Sequence, residues 1–141
     1  MATETTLVLL KPDCVTRRLC GEVIRRLEGL ELDIVGIKWI RFDEALLRTH
    51  YAHIIDRPFF PKFSLFMTSA PVMALALSGE EAIARVRHLF GPTDSRLAPK
   101  GTVRGDFGVD AMVNMVHASD SPASAATELG RFFAGGELFR R

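Results

Sequence analysis

Val113-Asn114-Met115-Val116-His117-Ala118-Ser119-Asp120-Ser121 is the stretch on which the reading of the fold turns. Its first residues read as a short apolar strand ending at His117, and small polar residues follow at once. Ser121 and Pro122 then supply an N-cap and a first helical residue, so this strand passes straight into a last helix. A histidine is thereby brought to the rim of a sheet.

Working outward, the segment from Gly91 to Phe107 has little periodicity, and a loop of that length in a compact domain is commonly functional. Before it, Ile83, Val86, Leu89 and Phe90 recur at helical spacing; Ser78 and Glu81 are placed to form a capping box, and Gly91 closes the helix. "PVMALAL" reads as a strand, and a short helix is expected after Pro61. Asp43 is positioned to cap a helix that carries Leu46, Leu47, His50, Tyr51 and Ile54 on one side. "LDIVGIKWI" is a β-branched strand. Leu19, Val23, Ile24 and Leu27 mark a helix that Gly29 ends. "TTLVLL" is a buried-type strand stopped by Lys11-Pro12-Asp13. Four strands with interleaved helices predict an α+β sandwich, one sheet face being covered by helices.

The chain has 141 residues, 48% of them hydrophobic and 25% charged, with a formal net charge of +1. That size suits a single domain over residues 1–141. The charge balance favours neither nucleic acid nor membrane, so any anion site needs a local cluster of cations. Cys14 and Cys20 have no metal-type partner spacing and read as free thiols of a reducing cytoplasm. No run approaches the roughly 18 apolar residues of a membrane span.

On the last helix Ala125, Leu129, Phe132 and Phe133 mark the inner face. By spacing alone Glu128 either borders that face, where His117 is a natural partner, or bends outward into solvent. Lys11, Arg57, Arg87 and Arg104 each have an ordinary surface reading. Phe59 and Phe60 read by default as core, and His50, His53 and His88 lie on or near helices with no acidic or thiol cluster fit for zinc. Taken together these residues hold the parts for phosphoryl transfer: a nucleophile, a carboxylate to orient it, cations and an aromatic platform. No Walker-type phosphate loop is present.

"LVLLKPDCV", "HYAHIIDRPFF", "SAPVMAL", "GTVRGDFG" and "NMVHASDS" follow one another in order, with a Glu nine residues after Ser119. In these five stretches, over roughly Thr5 to Phe133, the chain closely resembles the nucleoside diphosphate kinases. The resemblance implies a ferredoxin-like fold, a four-stranded antiparallel sheet with helices packed on it. It implies transfer of the γ-phosphate of a nucleoside triphosphate, mainly ATP, to a nucleoside diphosphate by a ping-pong route. His117 then corresponds to the histidine that is phosphorylated, Glu128 to the carboxylate on the far side of its ring, and Ser119 to the hydroxyl beside them. Lys11, Arg87, Thr93 and Arg104 correspond to phosphate-binding residues, Lys11 and Asn114 to ribose contacts, Phe59 to the aromatic under the base, and Tyr51 to a supporting residue near the phosphates. Mg²⁺ is expected on the nucleotide phosphates rather than on protein ligands. Partners are expected to be ATP and other nucleoside tri- and diphosphates, with no nucleic acid or membrane, in a cytoplasmic homo-oligomer, hexamer or tetramer.

The chain departs from the family pattern at Cys14, Phe63, Lys100, Ala111 and Val113. These departures motivate a second reading, a nucleotide-binding interaction protein with little turnover. A third, nucleic-acid binding, has only scattered cations behind it.

Overall fold

The fold was obtained as a computed structural model that describes residues 3–141. Strands β1 (Thr3–Leu10), β2 (Asp33–Ile40), β3 (Val72–Glu80) and β4 (Val116–Ala118) form a four-stranded sheet in the order β2-β3-β1-β4, with every neighbouring pair antiparallel. The helices are α1 (Pro12–Thr16), α2 (Cys20–Glu28), α3 (Glu44–His50), α4 (Phe60–Met67), α5 (Ala82–Phe90), α6 (Val103–Phe107) and α7 (Pro122–Phe132). This is the expected α+β, ferredoxin-like arrangement.

Both faces of the sheet are covered, where the sequence had suggested one. Val8, Leu10, Leu75 and Leu77 meet Val23 and Leu27 of α2 and Val86 and Phe90 of α5. On the opposite face Leu7, Leu9, Ala74 and Ala76 meet Leu47 of α3, Phe63 and Met67 of α4, and Phe132 of α7. The uninterrupted apolar run of β1 is the cause, since Leu7 to Leu10 have no polar side to offer water and all four are fully buried. The small side chains of Ala74 and Ala76 leave room for Phe132 and Phe133.

Local chemistry sets most boundaries. The Asp43 carboxylate accepts from Leu46 N–H at 2.7 Å, and the Ser121 hydroxyl accepts from Ser124 N–H at 3.1 Å, both as expected of N-caps. The Ser78–Glu81 capping box does not form. β3 runs on through Ser78, which pairs with Thr5 on one side and Asp33 on the other. Glu81 takes a left-handed conformation (φ 51°) with no side-chain cap, and Ile83 N–H donates instead to Glu4 Oε1 of β1 at 3.1 Å. A tertiary partner has displaced a local one. Lys11-Pro12-Asp13 ends β1 as predicted, yet Pro12 also opens the short α1.

Two local features shape the site differently from the sequence expectation. The segment 91–107 holds a one-turn 3₁₀ helix (Ser95–Leu97) and α6, whose Thr102 hydroxyl accepts from Gly105 N–H at 3.0 Å. A Cβ at Gly105 would strike the Pro99 carbonyl, so a glycine is required for that fit. The strand bearing His117 is also shorter than its apolar sequence suggests. Met115 sits at φ 77°, its N–H donating to Asp13 Oδ2 at 3.0 Å, and the break leaves only Val116–Ala118 extended. Asn114 consequently lies outside the strand.

Candidate active site

His117 pairs with Leu9 across β1, which turns its side chain to the sheet face covered by α3 and α7. Glu128, a turn and a half into α7, meets it there: His117 Nε2 is 3.0 Å from Glu128 Oε1. The Ser119 hydroxyl donates to the same oxygen at 2.7 Å. Of the two placements open to Glu128, the inner one is adopted. Burial pushes the Glu128 carboxyl up, but the hydrogen bonds from His117 and Ser119 outweigh it, and the net shift is downward. An ionised carboxylate only accepts, so Nε2 of His117 carries the hydrogen and Nδ1 keeps its lone pair. The ring thus turns its hydrogen-bearing nitrogen to Glu128 and leaves the other nitrogen unprotonated.

Cations surround this pair. Lys11, at the end of β1 and 4% exposed, donates to Met112 O at 2.8 Å and to Asn114 Oδ1 at 2.7 Å. Burial is the main reason that its ammonium falls from 10.5 to about 8, with Arg104 adding to the effect and Asp13 opposing it. Asn114 is itself oriented by donating to Thr93 O at 2.9 Å and Ala111 O at 3.2 Å. Arg104 of α6 is gripped by two carbonyls, Gly91 O at 2.8 Å and Val116 O at 2.7 Å, while its Nε is buried without a partner among the described residues. Burial and neighbouring Arg87 lower it to about 10, still charged at neutral pH. Arg87 of α5 is exposed and reaches Ala118 O at 3.4 Å.

A cavity of about 960 Å³ opens in front of His117. Its size sits near the upper end of the roughly 300–1,000 Å³ typical of small-molecule sites. Lys11, Arg87, Thr93, Arg104 and Asn114 line it around the imidazole and Glu128. Tyr51, whose hydroxyl is buried and unpartnered among the described residues, and Phe59, 44% exposed just before α4, form another part of the wall. Ser119 is fully buried behind Glu128 and does not open on the cavity. Among the positions that depart from the family pattern, Phe63 packs edge-on to Tyr51 at 4.6 Å and Ala111 lines the cavity. Cys14 is buried in the core as a free thiol, and Cys20 is also free. Val113 takes part through its backbone, its N–H donating to Asp110 Oδ1 at 2.8 Å, and Lys100 adds to the cations that lower the Asp106 carboxyl; nothing in the structure explains the choice of either side chain.

Two residues that sequence reasoning passed over belong to the same wall, His50 and Arg131. His50 has no ligand cluster near it in the sequence, yet His50, His117 and Glu128 bring one ligand atom each to within 4.8 Å of one another. Arg131 Nη1, 2.8 Å from His50 Nδ1, and the cavity's other cations oppose a divalent metal there. The usable signal was helical spacing, since Arg131 follows Glu128 by three residues and shares its face.

Burial above all, with the charge of His117 next, lowers His50 from 6.5 to about 3. Between those two values the unfolded chain binds a proton that the folded chain does not, so stability falls as pH drops through that window. Urea midpoints are expected to decline from pH 6.5 downward. In His50→Leu the decline should be shallower; an identical slope would show that another group is responsible.

An imidazole backed by a carboxylate and faced by cations across a nucleotide-sized cavity defines a class: an α+β enzyme that works on phosphorylated small molecules. A family sequence profile described as nucleoside diphosphate kinase matches residues 4–138. The nucleoside diphosphate kinase of Rubrobacter xylanophilus is 51% identical, over 94% of this chain and 99% of that protein. That of Rhodopirellula baltica is 47% identical, over 96% and 89% respectively. Among solved structures, a halophilic nucleoside diphosphate kinase from Halobacterium salinarum in complex with CDP superposes with a TM-score of 0.95 at 42% identity, covering 99% of this chain and 93% of that one. The Aquifex aeolicus enzyme does so at 0.90 and 40%, covering 97% and 99%. The chain belongs to the nucleoside diphosphate kinase family, and it is an enzyme of that phosphotransferase class.

Proposed function

We propose that the protein moves the γ-phosphoryl group of a nucleoside triphosphate, mainly ATP, to a nucleoside diphosphate through a phosphohistidine on His117. The observation that carries the reading is the 3.0 Å contact of His117 Nε2 with Glu128, which leaves Nδ1 free to attack inside a cation-lined cavity. In the first half-reaction the bond between the γ-phosphorus and its bridging oxygen breaks and a bond to Nδ1 forms. Glu128 steadies the positive charge that the ring acquires, with Ser119 holding the carboxylate in place. The departing diphosphate keeps the bridging oxygen. In the second half a new diphosphate attacks the same phosphorus, and the imidazole returns to its starting state.

Phosphoryl transfer asks chiefly for alignment and neutralisation of spreading oxygen charge. Lys11, Arg87 and Arg104 supply both, and Thr93 offers a hydroxyl. Lys11 and Asn114 hold the ribose, and Tyr51 is a supporting residue near the phosphates. Phe59 presents a π-face that every base shares, which favours broad nucleotide use. Mg²⁺ carried by the nucleotide supplies further charge neutralisation when bound. The donor set fits a nucleotide-borne ion, because magnesium prefers oxygen ligands and, among the described residues, Asp120 and Glu128 are the carboxylates on this wall. Parallel double-reciprocal plots are expected when ATP and a diphosphate are varied together, with turnover abolished by a chelator and restored by Mg²⁺. Intersecting lines would point to direct transfer instead. Tight ADP binding with no turnover would favour the interaction-protein reading.

A cytoplasmic location goes with this function, since nucleoside triphosphates are held there; no helix among the described residues is long and apolar enough to cross a membrane. The proposed assembly is a homo-oligomer, hexamer or tetramer. Support comes from β2, an edge strand whose Ile37 and Trp39 are 56% and 58% exposed. An apolar edge of this kind is a template for pairing with a second copy. Trp39→Lys is expected to sediment as a smaller species than the parent chain. Equal masses would exclude this edge from the assembly.

A further inference from the structure

Arg131 leaves α7 on the same face as Glu128, and its Nη1 stands 2.8 Å from Nδ1 of His50 at the end of α3. A guanidinium has donors and no acceptor, so Nδ1 of His50 must accept and the ring hydrogen must sit on Nε2. Histidine tautomers are usually assigned by choice between plausible networks; here the partner dictates the answer. Nε2 of His50 is buried and without a hydrogen-bond partner among the described residues. The His50 and His117 rings pack edge-on, with centroids 4.8 Å apart and planes at 75°.

Such closeness is a hazard for the reaction. A protonated His50 becomes a cation within reach of the Glu128 carboxylate and competes with His117 for it. The groups facing His50 are His117 from β4, Glu128 and Arg131 from α7, the adjoining Tyr51, and His53 in the one-turn 3₁₀ helix Ala52–Ile54 that follows α3. Of the charged ones, only Glu128 favours protonation, and burial opposes it most strongly.

We propose that Arg131 is a positioning residue: by occupying Nδ1 of His50 it fixes that ring uncharged with its hydrogen on Nε2, and so reserves the Glu128 carboxylate for His117. The kinetic consequence rests on the phosphohistidine reading above, whereas the tautomer does not.

The test uses the full chain with ¹⁵N-labelled histidine and long-range ¹H–¹⁵N spectra from about pH 5 to about pH 8. Wild-type His50 is expected to show a protonated Nε2, a bare Nδ1 and no titration across that range. In Arg131→Leu, His50 changes tautomer or begins to titrate, and kcat/KM falls several-fold at the acid end relative to the alkaline end. Arg131→Lys, which keeps a cationic donor, restores both. A wild-type His50 protonated on Nδ1 would overturn the proposal even if the leucine variant failed to fold. So would a leucine variant with wild-type spectra whose KM rises equally at every pH, since that is the behaviour of a residue that simply binds substrate. A wild-type protein with the expected tautomer but no turnover would contradict the functional reading instead, so the two failures are distinguishable.

Discussion

Replacing His117 with alanine is expected to remove phosphoenzyme formation and nucleotide exchange together, lowering kcat by roughly 10⁶-fold, the scale seen when a covalent enzyme loses its nucleophile. The fold should survive. His117 is on an edge strand of only three residues, and its side chain is partly exposed to the cavity. Removing it leaves Glu128 still bonded to Ser119, so no buried carboxylate is stranded. ADP binding should persist, because the cations and the Phe59 face are untouched. Circular dichroism, ADP titration and coupled turnover, measured on one preparation, separate these effects. Appreciable turnover in His117→Ala would refute covalent catalysis at this residue.

Lys11→Gln should produce the second largest loss, about 10²–10³-fold in kcat/KM, the scale seen when one preorganised donor to a charged transition state is removed. The buried ammonium holds Asn114 and Met112 while keeping a further N–H for a ligand, so the variant loses charge and alignment at once. A pH signature accompanies it. The ammonium titrates near pH 8 in the free protein, charged below that value and neutral above it. Since kcat/KM reports the free enzyme, wild-type kcat/KM should fall as pH rises through about 8. Bound polyphosphate favours the charged form, so kcat should hold to higher pH. Lys11→Gln should lack that alkaline limb. If the limb remains in the variant, another group titrates there.

The stretch around His117 was readable because its parts are local. Ser121-Pro122 starts a helix by capping chemistry, and Glu128 follows at a spacing that puts it on or beside the inner face. The run Leu7–Leu10 likewise announced a buried strand, though whether one or both sheet faces would be covered depended on how the later helices divided. What escaped was decided between distant residues. Ser78 and Glu81 have the composition of a capping box, but strand pairing with Thr5 and Asp33 claimed Ser78 first. The left-handed turn at Met115, which frees Asn114 from the strand, depends on Asp13 reaching its N–H from far earlier in the chain. His50 and Arg131 are 81 positions apart, and no periodicity within either helix signals that they touch. The pairing of His117 with Glu128 was therefore legible, while the residues that hold their surroundings were not.

Phosphorylation of His117 is tested most directly by intact-protein and peptide mass spectrometry at alkaline pH, after mixing the enzyme with ATP and Mg²⁺ in the absence of an acceptor. One acid-labile phosphoryl group per chain is expected, located on His117 and discharged at once by dGDP with formation of dGTP. An enzyme that turns over without any such species, or that carries its phosphate on another residue, would contradict this mechanism.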